Sequence, residues 1–437
     1  MSPFTLLFVM ALFSFAIHRL VLLKSLSIIV LAISLVLVYL GYATPLAGFA
    51  TSEAISFFEA VVLLVVGAFI LSEDDVITIT QTLFIAAASF LLLESTTLIS
   101  FILSFEVMSI LSFVLVSNIT SIKEAEGAIK MFIAGSIATA VLFFGVTLYL
   151  WSTQSLDTPL IINVDSFGIL GIWFMLGALF YKMTIVPMHT WSADSYAQVR
   201  PLYAALLSGV VKTVVFVATF KFFSPFILAT DVFSTPIFIV LAVITMSLGN
   251  ILALFQKNVT RILAYSSIAH AGYMLLGFVA VRSSYASVGV LYMAVAYIFM
   301  QSAVFILIDK LSRGVGDIKL EDLHGLVKKD KWSALFLSVQ LFSLAGIPLL
   351  AGFLAKAVMV YAVVDAGYII VALITLLNSA LSVAYYAWII KHIYFEENAS
   401  DYTLEKLSFS SSATQVILLL GTLYFGVFAS VVFSLTL

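Results

Sequence analysis

Three lysines and one glutamate lie deep inside long apolar stretches of this 437-residue sequence, where an ionisable side chain is costly. They are Lys182, Lys212, Lys356 and Glu106. Burial in an apolar medium favours the neutral amine, whereas a nearby carboxylate favours the ammonium. A lysine in such a place can gain or lose a proton when its neighbour moves, so a row of these groups is a candidate proton path. A sodium site would instead need clustered carboxylates and carbonyls.

The depth of these residues argues against an ordinary structural role. A lysine can snorkel to the lipid headgroups or serve as a hydrogen-bonded packing residue. Lys212, however, lies eleven residues after Pro201, about 16 Å along a helix. Lys356 lies nine residues before Asp365, about 13 Å from the far end, and Glu106 has about 18 Å of helix on each side. These positions near mid-membrane favour a functional role.

Two other ionisable residues have a less decisive position. Glu59 is nearer a membrane face, so contact with headgroups explains it as well as a function does. His270 is nine residues past Arg261, about 13 Å deep, and follows Ser267. Neutral imidazole accepts at one nitrogen and donates from the other, so His270 is either a proton relay or a satisfied packing residue. Tyr297, on the next apolar run, supplies a hydroxyl that supports a relay.

The composition defines the class of protein. Hydrophobic residues make up 63% of the chain and charged residues 10%, with a mean hydropathy of +1.19. Soluble chains are about 45–50% apolar, so this is a polytopic membrane protein. The net charge of −3 gives no indication of nucleic-acid binding. There is no cysteine, and the five histidines lack metal-ligand spacing, so we predict no metal and no cofactor site in this chain.

Apolar runs of spanning length predict an all-α fold with about fourteen transmembrane helices. The N-terminus lacks a basic region and a cleavage site, which predicts a retained first helix; this helix is short and is alternatively an interfacial segment. The predicted helices are near 4–18, 25–43, 54–72, 77–93, 97–117, 127–151, 166–190, 201–222, 235–256, 261–281, 285–309, 332–363, 367–394 and 413–436.

Basic residues predict the orientation of the chain. Most lie in connections that follow odd-numbered helices, whereas the opposite connections hold only Lys221 and Arg282. The positive-inside rule therefore places both termini on the extracytoplasmic side of the cell membrane. The polar connection Lys310–Lys331, with Gly314, Asp317 and His324, and the tail 396–410 are predicted to be solvated.

Two stretches are too long for one straight crossing of a hydrocarbon core about 30 Å thick. Residues 165–194 would form a helix of about 43 Å, and Pro187 predicts a break in it just after Lys182. Residues 332–365 would extend about 50 Å and contain Pro348 shortly before Lys356. Broken helices of this kind mark ion paths near the midplane of transporters.

The spacing of the two long stretches predicts an internal repeat. They are five helices apart and so cross the membrane in opposite directions, as in an inverted-topology repeat. We predict N-terminal helices in 1–76, a first five-helix repeat in 77–222, a second in 235–394, and a C-terminal helix in 395–437.

The same residues belong to longer sequence blocks between about Leu91 and His392. They are Ser104-Phe105-Glu106-Val107-Met108-Ser109, Glu126-Gly127-Ala128-Ile129-Lys130, Tyr181-Lys182 with Pro187-Met188-His189-Thr190-Trp191, Gly249 to Leu254 with Arg261 to Tyr273, and Gly346-Ile347-Pro348 with Gly352 to Lys356. In these blocks the sequence resembles the antiporter-like proton-pumping subunits of respiratory complex I and the related Mrp antiporter and membrane-bound hydrogenase subunits.

Within that family the sequence looks most like the N-type subunit, also called NADH dehydrogenase subunit 2. Its second broken helix carries Lys356 where the M-type has glutamate, and Tyr297 stands where the L- and M-types more often have histidine. Two positions depart from the family pattern. Ala193 replaces a usual proline before Asp194, and Leu349 replaces the second proline of a Gly-Ile-Pro-Pro motif.

The resemblance implies roles for the site residues. It implies a Glu106–Lys182 pair, Lys212 as the connecting residue and Lys356 as the terminal residue of a proton route. It also implies a non-redox subunit of a proton-translocating oxidoreductase that transfers electrons from NAD(P)H or another donor to quinone. Iron–sulfur clusters, flavin and quinone would then belong to partner subunits, and neighbouring membrane subunits would be the partners. The alternatives are an Mrp-type cation/proton antiporter or membrane-bound hydrogenase subunit, and a non-pumping membrane scaffold.

Overall fold

The structure is a computed structural model that describes residues 2–17, 19–44, 46–117, 121–156, 164–312, 318–395 and 407–435. Within these ranges the regular elements are helices, and they confirm the predicted all-α architecture. His18, the segment 313–317 with Gly314 and Asp317, and residues 396–406 of the predicted polar tail lie outside the described residues.

The helices follow one another through short connections. In chain order they are α1 Pro3–Ser14, α2 Leu20–Tyr39, α3 Glu53–Ser72, α4 Val76–Glu94, α5 Leu98–Val116, α6 Ile122–Thr153, α7 Ser166–Met183, α8 Thr190–Gln198, α9 Pro201–Ala205, a π-helical segment Leu206–Val211, α10 Lys212–Ala229, α11 Asp231–Leu254, α12 Val259–Val279, α13 Ala286–Leu311, a 3₁₀ turn Leu320–Leu323, α14 Leu326–Lys329, α15 Lys331–Ala345, α16 Ala351–Asp365, α17 Ile369–Tyr394, α18 Phe409–Val427 and α19 Ser430–Phe433.

The described residues contain twelve helices that are long and apolar enough to cross a membrane, with α9, the π segment and α10 counted as one. The short α1 and the broken pair α15 and α16 complete the fourteen predicted segments. The chain is thus a multi-pass membrane protein. The division into two five-helix repeats stays a prediction.

Polar residues define where several helices begin. The side chains of Asp75, Thr97, Asn258 and Asp330 each accept a hydrogen bond from a backbone N–H in the first turn of the helix that follows. These N-caps satisfy donors that have no partner inside a helix. Their positions explain why apolar runs of similar composition are divided into separate helices at these points.

Both predicted breaks are present, but the first lies earlier than the sequence suggests. The prediction of a helix over 166–190 is wrong at its C-terminal end, because α7 ends at Met183, four residues before Pro187. Thr184 adopts a left-handed backbone conformation with φ of 59°, which stops the helix. The second long stretch divides at Gly346, with φ of 90°, into α15 and α16.

The centre of the bundle consists of α13, α12 and the continuous segment formed by α9 and α10. The spanning portions of α13 and of that segment are fully buried. Helices α11 and α12 pack closely because Gly249 and Gly272 face the opposite backbone, where an added Cβ would lie 2.5 Å from a backbone nitrogen. Small residues allow such contacts between helices in membranes. This packing fixes α12, which carries His270.

Candidate functional site

Glu106 on α5 and Lys182 on α7 are within electrostatic reach of each other but form no direct ion pair. Both carboxylate oxygens of Glu106 accept from the Thr139 hydroxyl on α6 at 3.2 Å. Lys182 is 3% exposed, and its Nζ lies 5.0 Å from the centre of the Phe113 ring. Lys182 Nζ has no hydrogen-bond partner among the described residues. The two groups therefore stand in a separated arrangement, with the hydroxyl of Thr139 on the carboxylate.

The break that follows Lys182 is held by hydrogen bonds from both sides. The indole nitrogen of Trp191 donates to the Tyr181 carbonyl at 3.2 Å, and the backbone N–H of Val186 donates to the Thr245 hydroxyl at 3.1 Å. Pro187 lies inside this non-helical segment and has no N–H to satisfy. Pro187 therefore does not end α7, which stops at Met183, but lies in the segment that separates α7 from α8.

Lys212 follows the π-helical segment directly. Its backbone N–H donates to the Leu207 carbonyl, five residues earlier, and single π-type turns inside α-helices are frequent at functional sites. The Lys212 side chain is fully buried, and Nζ donates to the Ser267 carbonyl at 3.0 Å and to the Ser267 hydroxyl. This ammonium group is therefore attached to α12, three residues before His270.

His270 is fully buried on α12 among aromatic residues. Its Nδ1 pairs with the Ser266 carbonyl at 2.9 Å, while Nε2 has no partner at ordinary hydrogen-bond geometry among the described residues. The Tyr297 ring lies 5.1 Å from the imidazole, and its hydroxyl is near Ser267 but makes no hydrogen bond of ordinary geometry among the described residues. A longer interaction connects His270 to the Leu344 carbonyl. The histidine thus lies between the groups around Lys212 and the break after α15.

Lys356 on α16 points back to the end of α15. Its Nζ donates to the carbonyls of Leu344 and Ala345 at 2.9 and 3.1 Å, and to the Ser379 hydroxyl at 3.2 Å. The Tyr273 ring centre is 5.0 Å away. The last carbonyls of a helix lack partners inside it and carry partial negative charge, so the broken helix provides a binding site for this ammonium.

The second break depends on a close backbone approach. Gly352, the second residue of α16, lies so near α15 that an added Cβ would be 1.8 Å from the Ser343 carbonyl oxygen. Pro348 lies in the connection Gly346–Leu350, where the chain reverses before α16 begins. Leu349, which occupies the position of a second family proline, has φ of 73°, and a proline ring does not allow that value. A cavity of about 560 Å³ borders Lys356 and Ser379.

The structure brings some predicted residues together and keeps others apart. Lys212, Tyr297, His270 and Lys356 form a contiguous group through Ser267 and the Leu344 carbonyl. Glu106 and Lys182 lie outside it. The aromatic rings of Tyr181, Trp191 and Tyr196 form a series of contacts from the residue next to Lys182 to within 6.0 Å of Lys212 Nζ.

An ion-pair cluster around Asp194, in the middle of α8, connects distant parts of the chain. Asp194 accepts from Lys130 on α6 at 2.8 Å and from Arg261 on α12 at 2.5 Å. Partial burial raises the pKa of Asp194, but the two cations outweigh this and leave the pKa below its ordinary value. The segment after the first break is therefore attached to the helix that carries His270.

A second ion-pair cluster was not expected from the sequence. Arg200, at the start of α9, makes a two-pronged contact with Asp309 at 3.0 Å and reaches Glu73 at 3.0 Å. Burial raises the pKa of Glu73, and Arg200 opposes that increase. Thr139 and Ser379 were also missed. Hydroxyl residues are common on these helices, and no spacing distinguishes the two that contact an ionisable group.

Together the fold and the site define a class: polytopic helical membrane proteins with buried lysines at interruptions of their spanning helices. A family model described as NADH:quinone oxidoreductase/Mrp antiporter, TM, matches residues 95–382, more than half of the chain. The chain belongs to this family.

Named relatives agree with this assignment. F(420)H(2) dehydrogenase subunit N of Methanosarcina mazei is 33% identical over 363 residues, covering 79% of this chain and 73% of the relative. NADH-quinone oxidoreductase subunit N of Trichlorobacter lovleyi is 31% identical over 417 residues, covering 90% and 85%. A chain of respiratory complex I from Thermus thermophilus has the same fold, with a TM-score of 0.84, 24% identity and 97% coverage of both chains.

Proposed function

We propose that this chain is the proton-translocating N-type membrane subunit of a complex I-like oxidoreductase. The observation that carries the proposal is the row of three buried lysines, each beside an interruption of a spanning helix: Lys182, Lys212 and Lys356. A buried ammonium is costly, so three of them at helix interruptions indicate ion movement better than they indicate packing.

The mechanism uses the two arrangements available to Lys182. When Glu106 approaches, the carboxylate stabilises the ammonium form of Lys182. When a charge from a neighbouring subunit draws Glu106 away, desolvation favours the neutral amine, and the proton passes by water towards Lys212. From there Ser267, Tyr297 and His270 provide hydroxyl and imidazole groups as far as Lys356. The separated Glu106 and Lys182 resemble the second of these arrangements.

Electron transfer belongs to partner subunits in this proposal. The sequence contains no cysteine, so it offers no thiolate ligand for an iron–sulfur cluster. The two named relatives are subunits of an NADH-quinone oxidoreductase and an F(420)H(2) dehydrogenase. We infer partner subunits that bind flavin, iron–sulfur clusters and quinone, with NAD(P)H or another donor, in an assembly of the cell membrane.

The test is proton transport by the purified complex in liposomes. Lys182→Met should lower the number of protons moved per electron pair severely, because a thioether carries no proton. Lys257→Met, which changes an exposed lysine between α11 and α12, is the matched control. Normal transport by an assembled Lys182→Met complex would contradict the proposal. The identity of the co-purifying subunits and the effect of sodium then separate this function from an Mrp-type antiporter, a membrane-bound hydrogenase or a scaffold.

We further propose that both termini face the extracytoplasmic side, as the distribution of basic residues predicts. Because the natural chain has no cysteine, single introduced cysteines report position without background. Glu321→Cys should react with an impermeant reagent only after the cells are opened. Val232→Cys, in the exposed first turn of α11, should react in intact cells. The reverse pattern would overturn the orientation.

A further inference from the structure

A second group of ionisable residues, two of them buried and one half-buried, lies apart from the row of lysines. It consists of Glu59 on α3, Glu94 at the end of α4 and Lys221 on α10, and we call it the Glu59 cluster. Electrostatic interactions connect all three residues. Helix α3 begins and α4 ends at the same side of the bundle, so the cluster is near that face. The proposed route through Lys182, Lys212 and Lys356 does not use it.

Glu59 is completely buried, and neither of its carboxylate oxygens has a hydrogen-bond partner among the described residues. It therefore does not reach towards headgroups, which removes the structural explanation that its position in the sequence allowed. A carboxylate buried without a partner is strongly disfavoured, whereas a protonated carboxyl or a carboxylate beside an ammonium is tolerated. The protonation of Glu59 is thus tied to the position of a cation.

Glu94 is the second carboxyl group of the Glu59 cluster and contacts residues that lie between α2 and α3. One of its oxygens accepts from the backbone N–H of Thr44 at 2.8 Å, while the other oxygen and the Thr44 hydroxyl are buried and have no partner in the part of the chain that the structure describes. The backbone N–H of Ala50 also donates to the Glu94 carbonyl at 2.7 Å. Thr44 and Ala50, both between α2 and α3, therefore lie against Glu94, beside polar atoms that have no partner among the described residues.

Lys221 is the cation with access to both carboxyl groups. Its Nζ donates to the carbonyls of Leu93 and Ser95, at 2.7 and 3.2 Å, on either side of Glu94. Neither carboxylate holds it directly. Because lysine has a long flexible stem, a change in its side-chain torsions can move the ammonium between these carbonyls and the carboxylates. Glu94 and Lys221 are the charged groups that act on Glu59.

We propose that the Glu59 cluster is a second proton-binding site of this chain, at the end of a proton path near the face where α3 begins. While Lys221 occupies the carbonyls of Leu93 and Ser95, Glu59 keeps its proton. When Lys221 turns to the carboxyl groups, the O–H bond of Glu59 breaks and the proton passes to water at that face. The ammonium of Lys221 then neutralises the carboxylate that remains. This inference rests on the proposed function, because it supplies an additional station for the same proton transport.

The experiment compares Glu59→Gln with Glu53→Gln in the purified, reconstituted complex. Glu53 is exposed in the first turn of the same helix and serves as the matched control. Glu59→Gln and Lys221→Met should each lower protons moved per electron pair by about tenfold or more, as expected for loss of a proton-transferring group. Glu53→Gln should match the natural chain. A pH-dependent signal of the Glu59 carboxyl group in infrared difference spectra should disappear in Glu59→Gln and remain in Glu53→Gln.

The outcomes separate this inference from the proposed function. Transport that is lost in Lys182→Met but normal in assembled Glu59→Gln would overturn the inference and leave the proposed function intact. Transport that is normal in both variants would overturn both. If Glu59→Gln does not assemble, Glu59→Asp and Lys221→Met provide the test. Transport that is retained in Glu59→Asp and lost in Lys221→Met supports the inference. Normal transport in Lys221→Met contradicts it.

Discussion

Each of the two broken segments places a lysine inside the membrane. In the part of the chain that the structure describes, only the second break provides hydrogen-bond acceptors for the ammonium group. Lys182 precedes the first break, in the last turn of α7, and its Nζ has no hydrogen-bond partner among the described residues. Lys356 follows the second break and donates to three oxygens, two of them at the end of α15. The position of a lysine relative to the break therefore decides whether the helix end can bind it.

The direction of the side chains explains this difference. Helical side chains lean towards the N-terminus of their helix. Lys356 therefore leans from α16 back towards the break, where the final carbonyls of α15 lack partners inside their own helix and accept from its Nζ. Lys182 leans away from its own break, into α7, where the backbone carbonyls are used within the helix. Its ammonium depends instead on the Phe113 ring and the charge of Glu106.

This comparison suggests different tasks for the two lysines. A group whose charge depends on one distant carboxylate changes state when that carboxylate moves. Lys356 is held by three oxygens, two carbonyls at a helix end and the Ser379 hydroxyl, so it loses more hydrogen bonds on moving than a lysine held by fewer acceptors. We therefore expect Lys182 to be the gating residue and Lys356 to be a fixed station at the end of the route.

The largest expected effect tests the gating pair itself. Glu106→Gln and Lys182→Met should each lower proton transport by roughly a hundredfold, because each removes one half of the proton-holding unit. Each unit of pKa change corresponds to about 1.4 kcal/mol, which is enough to gate a step. The double variant should be little worse than either single variant, since residues that act together are not additive. Losses that multiply in the double variant, measured in liposomes, would refute the pair.

The two lysines should also differ, by a smaller amount, in how much their substitution changes the stability of the complex. Lys356→Met leaves the carbonyls of Leu344 and Ala345 unpaired and should destabilise the complex by about 1–3 kcal/mol. Lys182→Met removes a buried charge without a hydrogen bond and should be neutral or stabilising, by up to about 4 kcal/mol. Denaturant unfolding of the detergent-purified complex, followed by loss of assembled subunits, measures both. Equal destabilisation by the two substitutions would mean that Lys182 is also held by its surroundings.

Helix geometry allowed much of this site to be predicted from the sequence. The rise per residue predicted that Lys212 and Lys356 lie deep in the membrane, and both are buried in the bundle; the excess length of two apolar runs predicted their breaks. The sequence did not reveal what holds each ammonium, because the acceptors at Lys356 include backbone carbonyls, which every residue type provides. They become available only where the helix ends, and that point depends on the conformation of residues such as Thr184 and Gly346.

Contacts between distant helices were likewise beyond sequence reasoning. Glu94 is the last residue of α4, and Lys221 lies next to the end of the helix predicted over 201–222, where a charged residue needs no special explanation, although α10 in fact continues to Ala229. Their relation to Glu59 arises because α3, α4 and α10 pack together, and one sequence without its fold does not specify that packing. Arg200, Glu73 and Asp309 illustrate the same limit, since their ion pairs join three separate parts of the chain.

The smallest expected effect tests whether the helix end, and not a side chain, holds Lys356. Ser379→Ala removes one of three acceptors and leaves the carbonyls of Leu344 and Ala345 in place. We expect a cost of about 1 kcal/mol and nearly normal proton transport. Thr375→Val is the control, because Thr375 lies one turn earlier on α17 and its hydroxyl donates to the Val371 carbonyl within the same helix. If Ser379→Ala lowers transport as strongly as Lys356→Met while the control does not, the Ser379 hydroxyl positions the ammonium of Lys356. The helix-end carbonyls would then not explain the difference between the two breaks.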